Sequence, residues 1–175
     1  LNADKDSYGV PRSKSIQTTP AHQLALAAVY YSPLQYMYWY DKPSDSQDEP
    51  ELKFFDDVYT TWDDTKVLQG EVGEFITIAR RKGEEWFIGS ITNNEKRVLS
   101  VSLDFLPEGK NYIAEIYTDG DKSVKTRTKV RVSTYRVSNK TKLNFCLKAS
   151  GGGAVRLVPD DGNIKSVKNY KQQRL

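Results

Sequence analysis

EFITIARR (74–81), EWFIGSIT (85–92), RVLSVSLDF (97–105), NYIAEIYTD (111–119), TKVRVSTYRV (128–137), KLNFCLK (142–148) and AVRLV (154–158) repeat one pattern. Each is a short run rich in β-branched and aromatic residues, and each is bounded by turn chemistry: KGE, NNEK, LPEGK, DGDKS, SNK and SGGG. Alternation is clearest in the third run. There Leu99, Val101, Leu103 and Phe105 share one face, while Ser100, Ser102 and Asp104 share the other. TKVLQG (65–70) supplies an eighth run ahead of the rest. Seven or eight short strands with no helix between them predict an antiparallel β-sandwich.

Upstream of Trp62 the period changes. Thr19-Pro20 offers an N-cap followed by proline at the first helical position, where a missing N–H costs nothing. AHQLALAAVYY (21–31) then places Leu24, Ala27, Ala28 and Tyr31 at helical spacing, and Ser32-Pro33 ends the helix. LQYMYWY (34–40) is apolar on both faces, which predicts a strand buried on both sides, as in a helix-covered parallel sheet. A polar loop leads to PELKFFDDVY (50–59), a short amphipathic helix. Helix, strand and helix are a piece of an α/β unit, and one such piece cannot close a core. The expected chain is mainly β: an antiparallel sandwich of seven to eight strands preceded by a partial α/β, barrel-end helix-strand-helix segment. Residues 1–62 form the incomplete part, 63–159 the sandwich, and 160–175 a polar tail expected to fray. Because residue 1 is leucine and the opening is polar, the chain is expected to be processed or cut from something longer.

Composition narrows the chemistry. The 175 residues hold one cysteine and one histidine, which excludes a disulfide framework and a multi-cysteine zinc site. No apolar run reaches the roughly 18 residues of a membrane span. The net charge of +3 is uneven: residues 1–62 carry five basic and nine acidic side chains, whereas 63–175 carry 21 and 14.

Several clusters could carry function. Lys122, Lys125, Arg127, Lys129, Arg131, Arg136, Lys140 and Lys142 run without an acid between them, and Arg127, Lys129 and Arg131 alternate. With so small a net charge and no interleaved aromatics they read as the cations of a solvated edge strand, so no nucleic-acid partner is expected. Tyr30, Tyr31, Tyr36, Tyr38, Trp39 and Tyr40 are dense enough either to stack on sugar rings or to pack against a neighbouring domain. Tyr36, Trp39 and Asp41 are the candidate carbohydrate contacts, the latter two at the end of the predicted strand, where barrel active sites cluster. Adjacent acids at Asp56-Asp57 and Asp63-Asp64 do not make the spaced carboxyl pair of a glycosidase. Asp63-Asp64 reads instead as a turn or cap. His22, in a helix's first turn, is poorly placed for a raised-pKa base. Cys146 points opposite Leu143, Phe145 and Leu147 and is expected to be a packed, inert thiol. No catalytic or metal-ligating residue is assigned.

The order of certain blocks carries more. QLAL…SPLQ, TTWDDTKVL, GEFITIARRKG, WFIGSIT and FLPEGKNYIAEIYTDG span about residues 18–120, and GGGAVRLV follows. In that order they resemble the C-terminal part of glycoside hydrolase family 97. The resemblance implies a parent with an N-terminal β-sandwich, a central (β/α)₈ barrel and a C-terminal sandwich. Such parents are exo-acting, calcium-dependent α-glucosidases and α-galactosidases, typically exported by Bacteroidetes, which would place this chain in the periplasm or outside the cell. The family's catalytic carboxylates and calcium-binding glutamates lie upstream, so this chain alone would have no activity and no cofactor. Leu24–Tyr31 would be a late barrel helix, Leu34–Tyr40 the last barrel strand, and the region from about Lys66 the sandwich. The aromatic YMYWYD and the long tail after Pro159 depart from the family pattern. The implied partner is the rest of the barrel or another copy of the chain. The competing reading is a carbohydrate-binding module with Tyr36, Trp39 and Tyr40 as its stacking platform.

Overall fold

In the computed structural model, residues 17–36, 39, 49–126, 128–164 and 166–171 are described. Eight antiparallel strands follow two helices: α1 (Pro20–Val29), α2 (Lys53–Asp57) preceded by a 3-10 turn (Pro50–Leu52), β1 (Asp64–Glu71), β2 (Phe75–Lys82), β3 (Glu85–Thr92), β4 (Arg97–Ser102), β5 (Asn111–Asp119), β6 (Val130–Ser138), β7 (Lys142–Leu147) and β8 (Gly152–Pro159). They form a six-stranded sheet, ordered β1-β2-β3-β8-β5-β6, and a two-stranded sheet of β4 and β7. The last strand therefore inserts between β3 and β5, pairing Ile88 with Val155 on one side and Ile116 with Val155 on the other.

Alternation sorts side chains onto the two faces of the large sheet. Trp86 and Ile88, with Ala114, Ile116, Val155 and Leu157, meet Leu99, Val101, Leu143 and Phe145 of the small sheet in the sandwich core. The interleaved Phe87, Tyr117 and Ala154 face the other way, into a second core made with Ala21, Leu24, Ala28 and Phe54 of the helices. The central strands are thus buried on both faces within an antiparallel sheet, because one face carries a sheet and the other carries helices.

α1 begins as its sequence dictates: the Thr19 hydroxyl accepts from the His22 amide at 3.2 Å, and Pro20 opens the helix. It ends with Tyr30 as C-cap, two residues before Ser32-Pro33. The helix lies almost on the backbone of the sheet. A Cβ on Gly152 would fall 2.5 Å from His22 Cα, and one on Gly89 would meet the Ala25 carbonyl and fall 2.9 Å from Val29 Cγ2. Glycine is required at both positions for this approach.

Five expectations are corrected. Leu34, Gln35, Tyr36 and Trp39 are not in a strand, and Leu34 and Tyr36 are exposed. A strand there would need sheet neighbours on both sides, and none of the described residues supplies one; Met37, Tyr38, Tyr40 and Asp41 lie outside them. Gly152 and Gly153 are strand rather than turn, since β8 starts at Gly152 and Gly153 lies under the Phe145 ring. Lys129 has φ 57° and precedes β6, so it does not alternate with Arg131; Arg127 lies outside the described residues. The tail is tied down rather than frayed at 166–171, where Asn169 bridges Arg136 of β6. Cys146 is exposed rather than packed, because alternation turns it away from the core that Phe145 fills.

Candidate functional surfaces

One cation holds α1 to the sheet. Arg80, on the same face of β2 as Ile76 and Ile78, donates from Nε to Ala28 O at 2.6 Å and from Nη2 to Val29 O at 2.9 Å. It also donates to Thr65 Oγ1 at 2.8 Å, and the Tyr31 ring stacks 5.2 Å from the guanidinium carbon. The carbonyls it binds are among those an α-helix leaves unpaired at its C-terminus, where a positive charge is favoured. Burial lowers the Arg80 pKa from its usual value, and Tyr31 partly opposes that. The sequence did signal this role: ITIARR puts a cation on the apolar face of an alternating strand, which only a buried acceptor justifies.

A second anchor holds α2. Arg156 of β8 donates to Asp57 Oδ2 at 2.7 Å and to Glu85 Oε2 at 2.8 Å, and Lys53 pairs with Asp57 and with Glu115. Asp57 is therefore a structural ion-pair partner. Asp63 instead caps the β2–β3 hairpin by accepting from Gly83 N at 2.8 Å, as its turn reading anticipated. Glu51 is fully buried beside Glu49, with Oε1 accepting from the Thr128 hydroxyl and Oε2 buried without a hydrogen-bond partner among the described residues. Desolvation raises its pKa, the Thr128 hydrogen bond lowers it, and the Glu49 charge adds to the rise.

The candidate sugar contacts separate. Trp39 is 5% exposed, edge-on to Phe55 at 5.4 Å and with Nε1 3.4 Å from Glu49 Oε2. Tyr36 is 92% exposed. The two rings do not share one open face, and Asp41 lies outside the described residues. Tyr30, Tyr31, Leu34 and Tyr36 instead form an exposed apolar band around the C-terminal end of α1. Beside it opens a mostly apolar cavity of about 280 Å³, lined by Leu26, Ala27, Tyr30, Leu34, Tyr36 and Phe55 among others. His22, whose pKa is lowered by burial, has Nδ1 3.1 Å from Gly151 O and serves the α1 junction. Among the described residues no group of three or more His, Cys, Asp or Glu is placed to hold a metal. No helix among them is long and apolar enough to cross a membrane.

These features define an accessory β-domain: two cores, a pinned helix, and a conspicuous apolar band. The profile of the domain described as "Glycosyl-hydrolase 97 C-terminal, oligomerisation" matches residues 61–158. A retaining α-galactosidase of Bacteroides thetaiotaomicron is 34% identical over 158 residues, covering 89% of this chain and 23% of that protein. A family 97 enzyme from Pseudoalteromonas sp. strain K8, solved with acarbose, is 37% identical with a TM-score of 0.74, covering 82% of this chain and 23% of its own. A β-arabinopyranosidase is 25% identical with a TM-score of 0.65, covering 85% of this chain and 22% of its own. The chain belongs to glycoside hydrolase family 97 and carries its C-terminal, accessory domain. It spans 23% of the length of the first two relatives.

Proposed function

We propose that this chain is the C-terminal part of an exo-acting α-glycosidase, and that its sandwich supports the catalytic barrel without supplying catalytic residues. In this reading residues 1–62 are the end of the barrel, 63–159 the supporting domain, and 160–175 a tail. The observation that carries it is the band of Tyr30, Tyr31, Leu34 and Tyr36, exposed just past the C-terminal end of a helix that is locked to the sheet. Exposed apolar area of this kind, on a domain that is a quarter of its relatives' length, is what the remainder of the enzyme would cover. The parent's acid/base pair and calcium belong to the upstream part, and export to the periplasm belongs to the same proposal.

Hydroxyl-radical footprinting tests the covered band. Tyr30, Tyr31 and Tyr36 should oxidise readily in the isolated chain and be protected when the upstream barrel sequence is present. Equal oxidation in both would refute the docking. Incubation of the chain alone with nitrophenyl α-glucoside and α-galactoside, with calcium, should give no turnover, because hydrolysis needs two spaced carboxyls that residues 17–171 are not assigned. A second reading rests on Tyr36 alone: an open ring available to stack on an oligosaccharide. Calorimetry with maltooligosaccharides separates the two, since saturable heat lost in Tyr36→Ala is expected only of a binding module.

A further inference from the structure

The large sheet has two outer strands, and they are treated differently. At β6 the tail adds a partial strand: the Arg136 amide donates to Lys168 O and the Tyr170 amide to Arg136 O, both at 2.9 Å. The Arg136 side chain secures that tail by donating to Asp160 at 2.5 Å and to Ile164 O at 3.0 Å. At β1, among the described residues, no strand or tail covers the outer edge. Beside it Val67 and Val72 are exposed, at 67% and 103%, over an open apolar hollow of about 540 Å³ that Gly70, Phe75, Ile76 and Ile91 also line.

We infer that β1 is the surface on which a second copy of this chain docks, antiparallel to its own β1 across a two-fold axis. This goes beyond the accessory-domain reading by giving self-association a surface. The argument is one of register. The β1–β2 ladder slips between Val67 and Gln69, leaving Leu68 as a bulge. Val67 and Gly70 consequently lie on the same face of the sheet, opposite Ile78 and Ile76, on the helix side. Lys66 and Glu71 lie on the other face, opposite Ala79 and Phe75, which belong to the sandwich core.

Pairing β1 with its two-fold mate so that Lys66 faces the mate's Glu71 sets Val67 against Gly70 and Leu68 against Gln69. Every pair then joins side chains of the same face. Two opposite-charge pairs form, and each Val67 covers the bare backbone of the other copy's Gly70. Cross-strand pairs of this type set register in antiparallel sheets. Moving the register by one residue in either direction opposes side chains from different faces, Lys66 to Gly70 or Val67 to Glu71. The bulge thus discourages an ordinary strand from adding to this edge, while a copy carrying the same bulge meets it in register.

Sedimentation velocity on the 175-residue chain, over a concentration series, is the test. The chain is expected to dimerise. Lys66→Glu and Glu71→Lys should each weaken the dimer tenfold or more, and the double exchange should restore it. Circular dichroism reports whether each variant is folded, and the exposed Glu71→Lys stands if Lys66→Glu is not. A monomeric chain at all concentrations, a dimer indifferent to both single exchanges, or a folded double exchange that stays monomeric would overturn the inference. Leu34→Lys, on the α1 band, should leave the dimer unchanged. If it alone dissolves the dimer, copies meet through α1, and both this inference and the barrel-docking reading are wrong.

Discussion

Replacing Gly152 by alanine asks whether α1 is held by direct contact with the sheet backbone. The new Cβ would lie 2.5 Å from His22 Cα, 2.9 Å from His22 N and 3.0 Å from Ser90 O, where ordinary contact begins near 3.4 Å. All three neighbours are backbone atoms, so no rotamer relieves the clash, and the helix must withdraw by roughly 1 Å. A gap of that size forfeits about a quarter to a half of each dispersion contact across it. Ala21, Leu24, Ala25 and Ala28, all fully buried, would lose contact together. The expected cost is at the upper end of overpacking effects, about 3 kcal/mol. For a chain of this size that is roughly 6–12 °C in melting temperature. Gly89→Ala acts near the other end of the helix and should cost about as much. Because a helix lifted once no longer clashes, the double variant should cost clearly less than the sum. Calorimetry reads the melting temperatures, and hydrogen exchange on residues 24–30 reads the helix. An unchanged melting temperature with unchanged α1 exchange, or strict additivity, would refute a helix seated on glycine.

Other changes probe other joints. Arg80→Met should cost about 2–3 kcal/mol in urea unfolding, since it strips a charged donor from two buried carbonyls. Arg136→Ala should release the tail, seen as faster exchange of the Arg136 and Tyr170 amides with β5 unaffected. The pH dependence has two opposed parts. Glu51, facing Thr128, Glu49 and Tyr117, has a folded pKa above its ordinary 4.5, so the native state holds more protons and stability falls as pH rises from 4.5 through the raised value. Glu51→Gln should therefore be more stable than the wild type at pH 7 and equal to it below about pH 4.5. His22 has a folded pKa below 6.5, so the unfolded state binds more protons and stability falls as pH drops below about 6.5. His22→Gln should flatten that limb of the denaturation profile.

What the sequence revealed follows from which interactions are local. The strands were legible because alternation against a core is written residue by residue, and the bounds of β3 and β5 are those predicted. The placement of β8 between β3 and β5 was not, since it depends on pairing partners more than sixty residues away on one side. Gly152 and Gly153 read as a turn because glycine usually punctuates; here one makes room for a helix and the other for Phe145. LQYMYWY read as a buried strand because apolar period tells that a face is covered, not by what. Trp39 is covered by Phe55, whereas Leu34 and Tyr36 stay open. Arg80 is not marked by a run of cations; its signal is a single cation on the apolar face of β2, and the helix carbonyls that it binds are some fifty residues away.

The way α1 is held bears on what the sandwich contributes to the enzyme it belongs with. A helix resting on long side chains can slide, because such contacts re-form after small shifts. One resting on Gly89 and Gly152 has backbone against backbone, with Arg80 fixing its end by two hydrogen bonds. Its position relative to the sheet is thereby set closely in translation and in rotation. Whatever packs on Tyr30, Leu34 and Tyr36 is consequently positioned by the sheet itself. If a second copy docks through β1, the two α1 helices become parts of one continuous sheet assembly, related by its two-fold axis. Under the proposed barrel docking, the sandwich would then act as a rigid spacer that sets both the attachment of each barrel and the distance between barrels. A glycine-to-alanine change under α1 should disturb the first of these, and a charge exchange on β1 only the second.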